Sequence, residues 1–339
     1  MASFPSGENV PINEDTGSGR VPVEVLDAQY RVVDEQPKSF ALRRRPQRLW
    51  PSLTLFLLTL ASTLMVGMDF ARSYAQEVAP FSGSQGILSM LEDAWHHPSL
   101  ILLGVPFSFT LLLILLAHEL GHFFAGRHYG IDVSYPYFIP APNLFGTFGA
   151  VISIRSPIPT KKALFDVGIA GPVVGFVFAL PAMAWAVATA KIVPDAQANA
   201  AIHFGSPPLI LLLDRLFHPG VDPGWILLGP VGWAAWVGLL ATAMNLLPMW
   251  QLDGGHIVYS LTARHHQRIS LAVGLALVAI GVYCWAGWAL WGIILLALSL
   301  RFRHPPLLSS WEPLGAGRRL WAVLALAIFV LSFTPWPAR

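Results

Sequence analysis

Charge is scarce in this chain. Only 12% of its 339 residues are Asp, Glu, Lys or Arg, about half the share of a soluble globular domain, which excludes a surface solvated by water all round. Cysteine is scarcer still. Cys284 is the single one and lies in an apolar stretch, so an intrachain disulfide and a cysteine-based zinc finger are both excluded. The first forty residues lack the apolar core of a secretory signal peptide. They are polar, with scattered Pro, Gly and acidic residues, and residues 1–42 are expected to form a flexible cytosolic tail. The net charge of +2 excludes nothing by itself; the placement of the charges is what informs.

What the chain has in excess is apolar surface: 55% hydrophobic residues, 13 Trp and a mean hydropathy of +0.58. Runs near the ~20 residues needed to span a bilayer occur at 49–68, 100–124, 164–192, 225–248, 269–285, 286–302 and 319–335. The fifth and sixth are separated only by a turn at Ala286-Gly287. The expectation is an all-α polytopic membrane protein of six or seven transmembrane helices. The Trp residues are expected as interface anchors.

Lys and Arg orient these spans. Arg43, Arg44, Arg45 and Arg48 precede the first span and hold the N-terminus on the cytoplasmic side. Alternating from there, the same side receives Arg127, Arg155, Lys161, Lys162, Arg264, Arg268, Arg301, Arg303, Arg318 and Arg319. The opposite side receives only Arg72, Lys191, Arg215 and Arg339. A seven-span chain in a plasma (inner) membrane with a cytoplasmic N-terminus fits this bias.

The chemistry sits at the end of the second span. Ile101 to Ala117 carries no charge, and then His118-Glu119-Leu120-Gly121-His122 follows. At helical spacing the two histidines share a face one turn apart, where both can bind one metal ion. Glu119 lies beside them, able to take a proton from a water that the metal activates. Ionisable groups in a span are functional-site candidates by default. Counted from Ser99, His118 lies roughly 28 Å along the helix, near the inner edge of a core about 30 Å thick.

Catalytic zinc takes three protein ligands and leaves one position for water, so a third ligand is needed at that depth. Most of the 19 acidic residues fall in the tail, in external regions or in a cytosolic loop. Asp132 follows the helix too closely to fold back. Asp166 and Asp253 remain. Asp253 is preferred: Pro248 should break the fourth span, Gly254 and Gly255 let the backbone turn the carboxylate inward, and the depth matches that of His118. Asp166 follows Lys161-Lys162 and reads as a helix-start carboxylate. His256 is a rival ligand or an outer partner. His96-His97 and His265-His266 read as solvated pairs in loops.

These residues resemble the site-2 protease family of intramembrane zinc metalloproteases. The matching pieces, in order, are His118-Glu119-Leu120-Gly121-His122, Gly146 to Arg155 with Ser156-Pro157, Ala170-Gly171-Pro172 with Gly175, and Asn245-x-x-Pro248-x-x-x-Leu252-Asp253-Gly254. They cover roughly 100–260. The resemblance implies endoproteolysis of a substrate's transmembrane segment, with His118, His122 and Asp253 binding one Zn2+ per chain, Glu119 as general base, and Asn245 bonding the substrate backbone or the oxyanion. It implies a membrane-protein substrate, a lipid environment and an active site towards the cytoplasm; no nucleic-acid partner is expected.

The expected organisation is the tail over 1–42, a first helix and external loop over 43–99, a catalytic core over 100–260 and C-terminal helices over 261–339. Within the core, Phe148, Ala150, Ile152 and Ile154 alternate with Gly149, Val151, Ser153 and Arg155. That pattern predicts a short β-hairpin-like segment near 145–155, either pairing with an extended substrate or packing on the helices. The glycines of Gly168 to Gly175 are read as helix-packing positions. Two other functions use the same ligands, a metal-ion or solute transporter and a non-catalytic protein with structural zinc. A transporter would be expected to show repeated halves, and no second copy of the histidine motif occurs.

Overall fold

Apolar runs need partners for their backbone groups, and in lipid the helix supplies them internally. The computed structural model describes residues 48–81, 92, 95–194, 202–302, 304, 307–309 and 313–338; the expected tail over 1–42 lies outside them. The long helices are α1 (Leu49–Ala75), α2 (Val105–His128, entered through a 3-10 turn at Pro98–Gly104), α3 (Lys161–Ala188), α6 (Asp253–Tyr283) and α8 (Gly315–Ser332). Shorter ones are α4 (Pro208–Phe217), α5 (Pro230–Asn245) and α7 (Ala286–Arg301).

Five helices are long and apolar enough to cross a bilayer: α1, α2 with its 3-10 turn, α3, α6 and α8. This is a membrane protein of polytopic helical architecture. The runs at 225–248 and 286–302 become helices of 16 residues, each about 24 Å long. Most of α5 is buried: hydropathy reads a helix inside protein and a helix in lipid alike. The six or seven expected runs thus correspond to five long helices and two short ones.

Local chemistry explains the boundaries. Thr160 caps α3, its Oγ1 accepting from the Ala163 N–H at 3.1 Å. Pro172 and Pro181 lie inside α3, tolerated where neighbouring helices cover the freed carbonyls. Helix α5 stops at Asn245, three residues before Pro248. Phe70 of α1 stacks on Phe107 of α2 at 4.9 Å and on Trp233 of α5 at 5.4 Å, joining the three. Trp233, Trp236 and Trp288 are buried, so not all the tryptophans are interface anchors.

Two strands, β1 (Tyr137–Pro140) and β2 (Thr147–Val151), pair antiparallel with a register shift between Phe138 and Pro140. A bridge from Val133 to Ile154 extends the pairing. The expected hairpin exists, but its alternation breaks at Gly149, whose φ of 102° is a left-handed geometry suited to glycine. A second two-residue pair, β3 (Lys191–Ile192) and β4 (Ile226–Leu227), closes the far end.

Asp166 has a fuller role than a helix-start carboxylate. It takes two hydrogen bonds from Arg318 of α8, Nε at 2.8 Å and Nη2 at 2.6 Å, and a third from the Tyr129 hydroxyl. Burial, then the Asp166 carboxylate, pushes the Tyr129 pKa up and keeps its proton on. The network ties the ends of α2, α3 and α8. Asp166→Ala is expected to cost about 1–2 kcal/mol, read as a lower thermal midpoint in detergent. An unchanged midpoint would show that the network holds nothing.

Candidate metal centre

The last turns of α2 run against α3 with almost no separation. A Cβ on Gly121 would stand 2.5 Å from the Ala170 carbonyl oxygen, so only glycine allows this approach. The histidines of the 118–122 motif consequently project onto α3. There a Cβ on Gly171 would stand 2.0 Å from His122 Nε2, and one on Gly175 3.1 Å from His118 Nδ1. The glycines expected to serve helix packing also make the room that both imidazoles occupy.

The carboxylate arrives from the other side. After α5 ends, residues 246–252 turn sharply, with Trp250 at φ 46°, and Asp253 opens α6. Contrary to the expectation from sequence, Gly254 and Gly255 do not supply the turn. They sit in the first turn of α6, where Cβ atoms would meet the carbonyl oxygens of Leu246 at 2.1 Å and Met249 at 2.4 Å. Close approach, rather than special backbone angles, is what they provide.

Asp253 Oδ2 lies 3.2 Å from His118 Nε2 and 3.3 Å from His122 Nε2. The three residues offer ligand atoms all within 4.8 Å of one another. His118 and His122 are buried at 5% and 6% exposure. The His122 Nδ1–H donates to the Val167 carbonyl oxygen at 2.7 Å. A carbonyl only accepts, so this bond fixes the tautomer and leaves the Nε2 lone pair facing the cluster. Two imidazole nitrogens and one carboxylate oxygen suit a divalent transition metal with a position left open for water. Asn245 Nδ2 lies 3.2 Å from His118 Nε2, at the same cluster.

Glu119 is buried beside the cluster. Its carboxylate lies beside the backbone of Ile152, in the segment after β2. These groups line a cavity of about 210 Å³ whose remaining walls include Ala150, Ile154 and Gln251. A neighbouring cavity of about 690 Å³ shares Ile152, Ile154, Gln251 and His256 with it.

The rival ligands stand elsewhere. Asp166 is paired with Arg318. His256 lines the cavity, but its Nδ1 lies 2.9 Å from His304 Nε2, and it is outside the three-residue group. The expectation of a solvated pair in a loop at His265-His266 fails: both lie in α6 beyond a kink at Thr262. His266 is buried, with Nε2 3.1 Å from the Trp250 carbonyl oxygen. Sequence reasoning also missed Val167, which acts through its backbone, and His304, which arrives from a distant segment.

The chain is similar in sequence to known proteins. The chain is similar to the probable zinc metalloprotease EGY1, chloroplastic, of Oryza sativa subsp. japonica, 29% identical over 88% of this chain and 54% of that protein. The Arabidopsis thaliana counterpart is 29% identical over 88% and 56%. The chain thus spans about half the length of these curated relatives. A solved structure, the site-2 protease from Methanocaldococcus jannaschii, matches 67% of this chain and 90% of that one at 16% identity, with a TM-score of 0.35. The family model for peptidase family M50 matches residues 106–284, the stretch that holds the histidine motif, the paired glycines and Asp253. With that model covering more than half of its length, the chain belongs to peptidase family M50.

Proposed function

We propose that this chain is an intramembrane zinc endopeptidase that hydrolyses peptide bonds in or near transmembrane segments of membrane-protein substrates. The observation that carries the reading is the convergence of His118, His122 and Asp253 to within 4.8 Å, beside Glu119, at the end of an apolar helix. His118, His122 and Asp253 would hold the zinc, which when bound acidifies water and polarises a carbonyl. Glu119 removes the proton from the attacking water and returns it to the nitrogen of the leaving amine. Asn245 is placed to donate from Nδ2 to the substrate carbonyl as charge builds on its oxygen. The relatives named as probable zinc metalloproteases support this reading.

The Lys and Arg bias supports an active site towards the cytoplasmic face, with the N-terminus on that side. The segment after β2 is the proposed cradle for an extended substrate. A proline at Ile152 would test it only in part, because the Ile152 backbone also lies beside Glu119. The transporter reading has no support: the described residues contain one group of three potential ligands and no repeat of it.

A helical substrate hides its carbonyls in its own hydrogen bonds, so local unwinding must precede cleavage. The test is a transmembrane-helix reporter co-reconstituted with the protein in vesicles. Replacing one leucine in its cytoplasmic half by glycine lowers the opening cost by about 0.8–1 kcal/mol, and cleavage should rise about 4-fold. No cleavage of any transmembrane reporter by zinc-loaded protein would overturn the proposal.

A further inference from the structure

The far end of α5 carries a third cavity, unrelated to the metal cluster. Trp233 lies twelve residues before Asn245, about 18 Å away along the helix. The cavity holds about 40 Å³, and Asp214, Phe204, Ser206, Trp233 and Trp236 are among its walls. On the same volume measure a water needs about 10–15 Å³. Among the described residues, no basic side chain lines it.

Asp214 is out of place in such a setting. Its residue is 3% exposed, and its Oδ1 is buried without a hydrogen-bond partner. Burial pushes its pKa up to about 6, because an ionised carboxylate in an apolar wall is costly without a counter-charge. Three aromatic rings surround the same space. Phe204 and Trp233 are 4.8 Å apart at 65°, Phe204 and Trp236 5.4 Å at 76°, and Trp233 and Trp236 6.1 Å at 59°. The Trp236 indole N–H is already used, donating to the Gly205 carbonyl oxygen at 2.8 Å. Trp236 therefore has no N–H left to donate into the cavity.

A buried carboxylate whose Oδ1 has no hydrogen-bond partner among the described residues, beside three aromatic rings, is the chemistry that recognises an organic cation. Size narrows the choice, since the space admits a compact head and not a bulky one. Hard metal ions want six or more oxygen ligands, which this mostly apolar wall does not offer. A primary ammonium satisfies both halves, its N–H groups donating to the Asp214 carboxylate and its adjoining carbon resting on the rings.

We propose that this cavity is a binding site for a primary ammonium group, supplied either by a small free amine or by a lysine side chain of a bound polypeptide. The site does not depend on the protease reading and can be tested without a substrate. Purified full-length protein in detergent would be titrated with methylammonium, sodium and tetramethylammonium chlorides at equal ionic strength, following tryptophan fluorescence and the thermal midpoint. A saturable response to methylammonium alone is expected, weakened at least about tenfold in Asp214→Asn. Asn is isosteric and uncharged, so this variant should fold. Should it not, Trp233→Leu supplies the second test, with an expected loss of about 2–30-fold.

N-acetyl-lysine amide against N-acetyl-glutamine amide separates the sources. A response to the lysine derivative supports a polypeptide origin, and a response to methylammonium only supports a free amine. An equal response to sodium, a response unchanged in Asp214→Asn, or no response in the wild type would overturn the proposal.

Discussion

Glu119→Gln is expected to lower peptide-bond cleavage by about 10²–10⁴-fold, the usual worth of a positioned acid–base group, while zinc stays near one per chain. Glu119 lies next to His118 in sequence but is outside the three-residue ligand group, so its loss should leave the metal held. Gln keeps the shape of the side chain in its buried place. What it loses is a carboxylate able to take a proton from water and deliver it to the departing nitrogen. Cleavage of a transmembrane reporter, measured beside zinc content on the same preparation, checks both halves. Retained cleavage would remove Glu119 from the mechanism, and lost zinc would make it a ligand.

Gly171→Ala is expected to weaken zinc binding by at least about 10–100-fold, the range seen when a ligand's support is disturbed, although Gly171 is not itself a ligand. Its new methyl would stand 2.0 Å from His122 Nε2 and 2.5 Å from the neighbouring ring carbons, closer than nonbonded atoms come. The ring has little freedom to yield, because its Nδ1–H is committed to the Val167 carbonyl. Gly175→Ala should be milder, since its methyl would meet His118 at 3.1 Å. Competition with a chelator ranks the affinities. A Gly171→Ala protein that binds zinc like wild type would show that His122 rests elsewhere when zinc is bound.

The metal cluster was legible because its signals are local or one-dimensional. His118 and His122 follow an uninterrupted apolar run at one-turn spacing, and Asp253 stands out by its depth together with Pro248 and the glycines that follow it. The hairpin was legible from alternation, up to Gly149. What could not be read depends on contacts between distant segments. Nothing local distinguishes α5, buried among other helices, from a lipid-facing span of similar hydropathy. Gly171 and Gly254 both looked like flexible or packing residues, yet one makes room for an imidazole and the other for a carbonyl oxygen. His266 and His304 acquire their partners through a kink at Thr262 and a loop after α7. Neither feature has a sequence period to announce it.

Metal content of the detergent-purified protein tests the central claim most directly, with wild type beside His122→Ala and Asp253→Ala. It requires no substrate, and side chains from opposite sides of the cluster are removed one at a time. About one zinc per chain in the wild type, lost or sharply weakened in both variants, is the expected result. A folded wild type that takes up no zinc, or an Asp253→Ala protein that keeps its full complement, would contradict it.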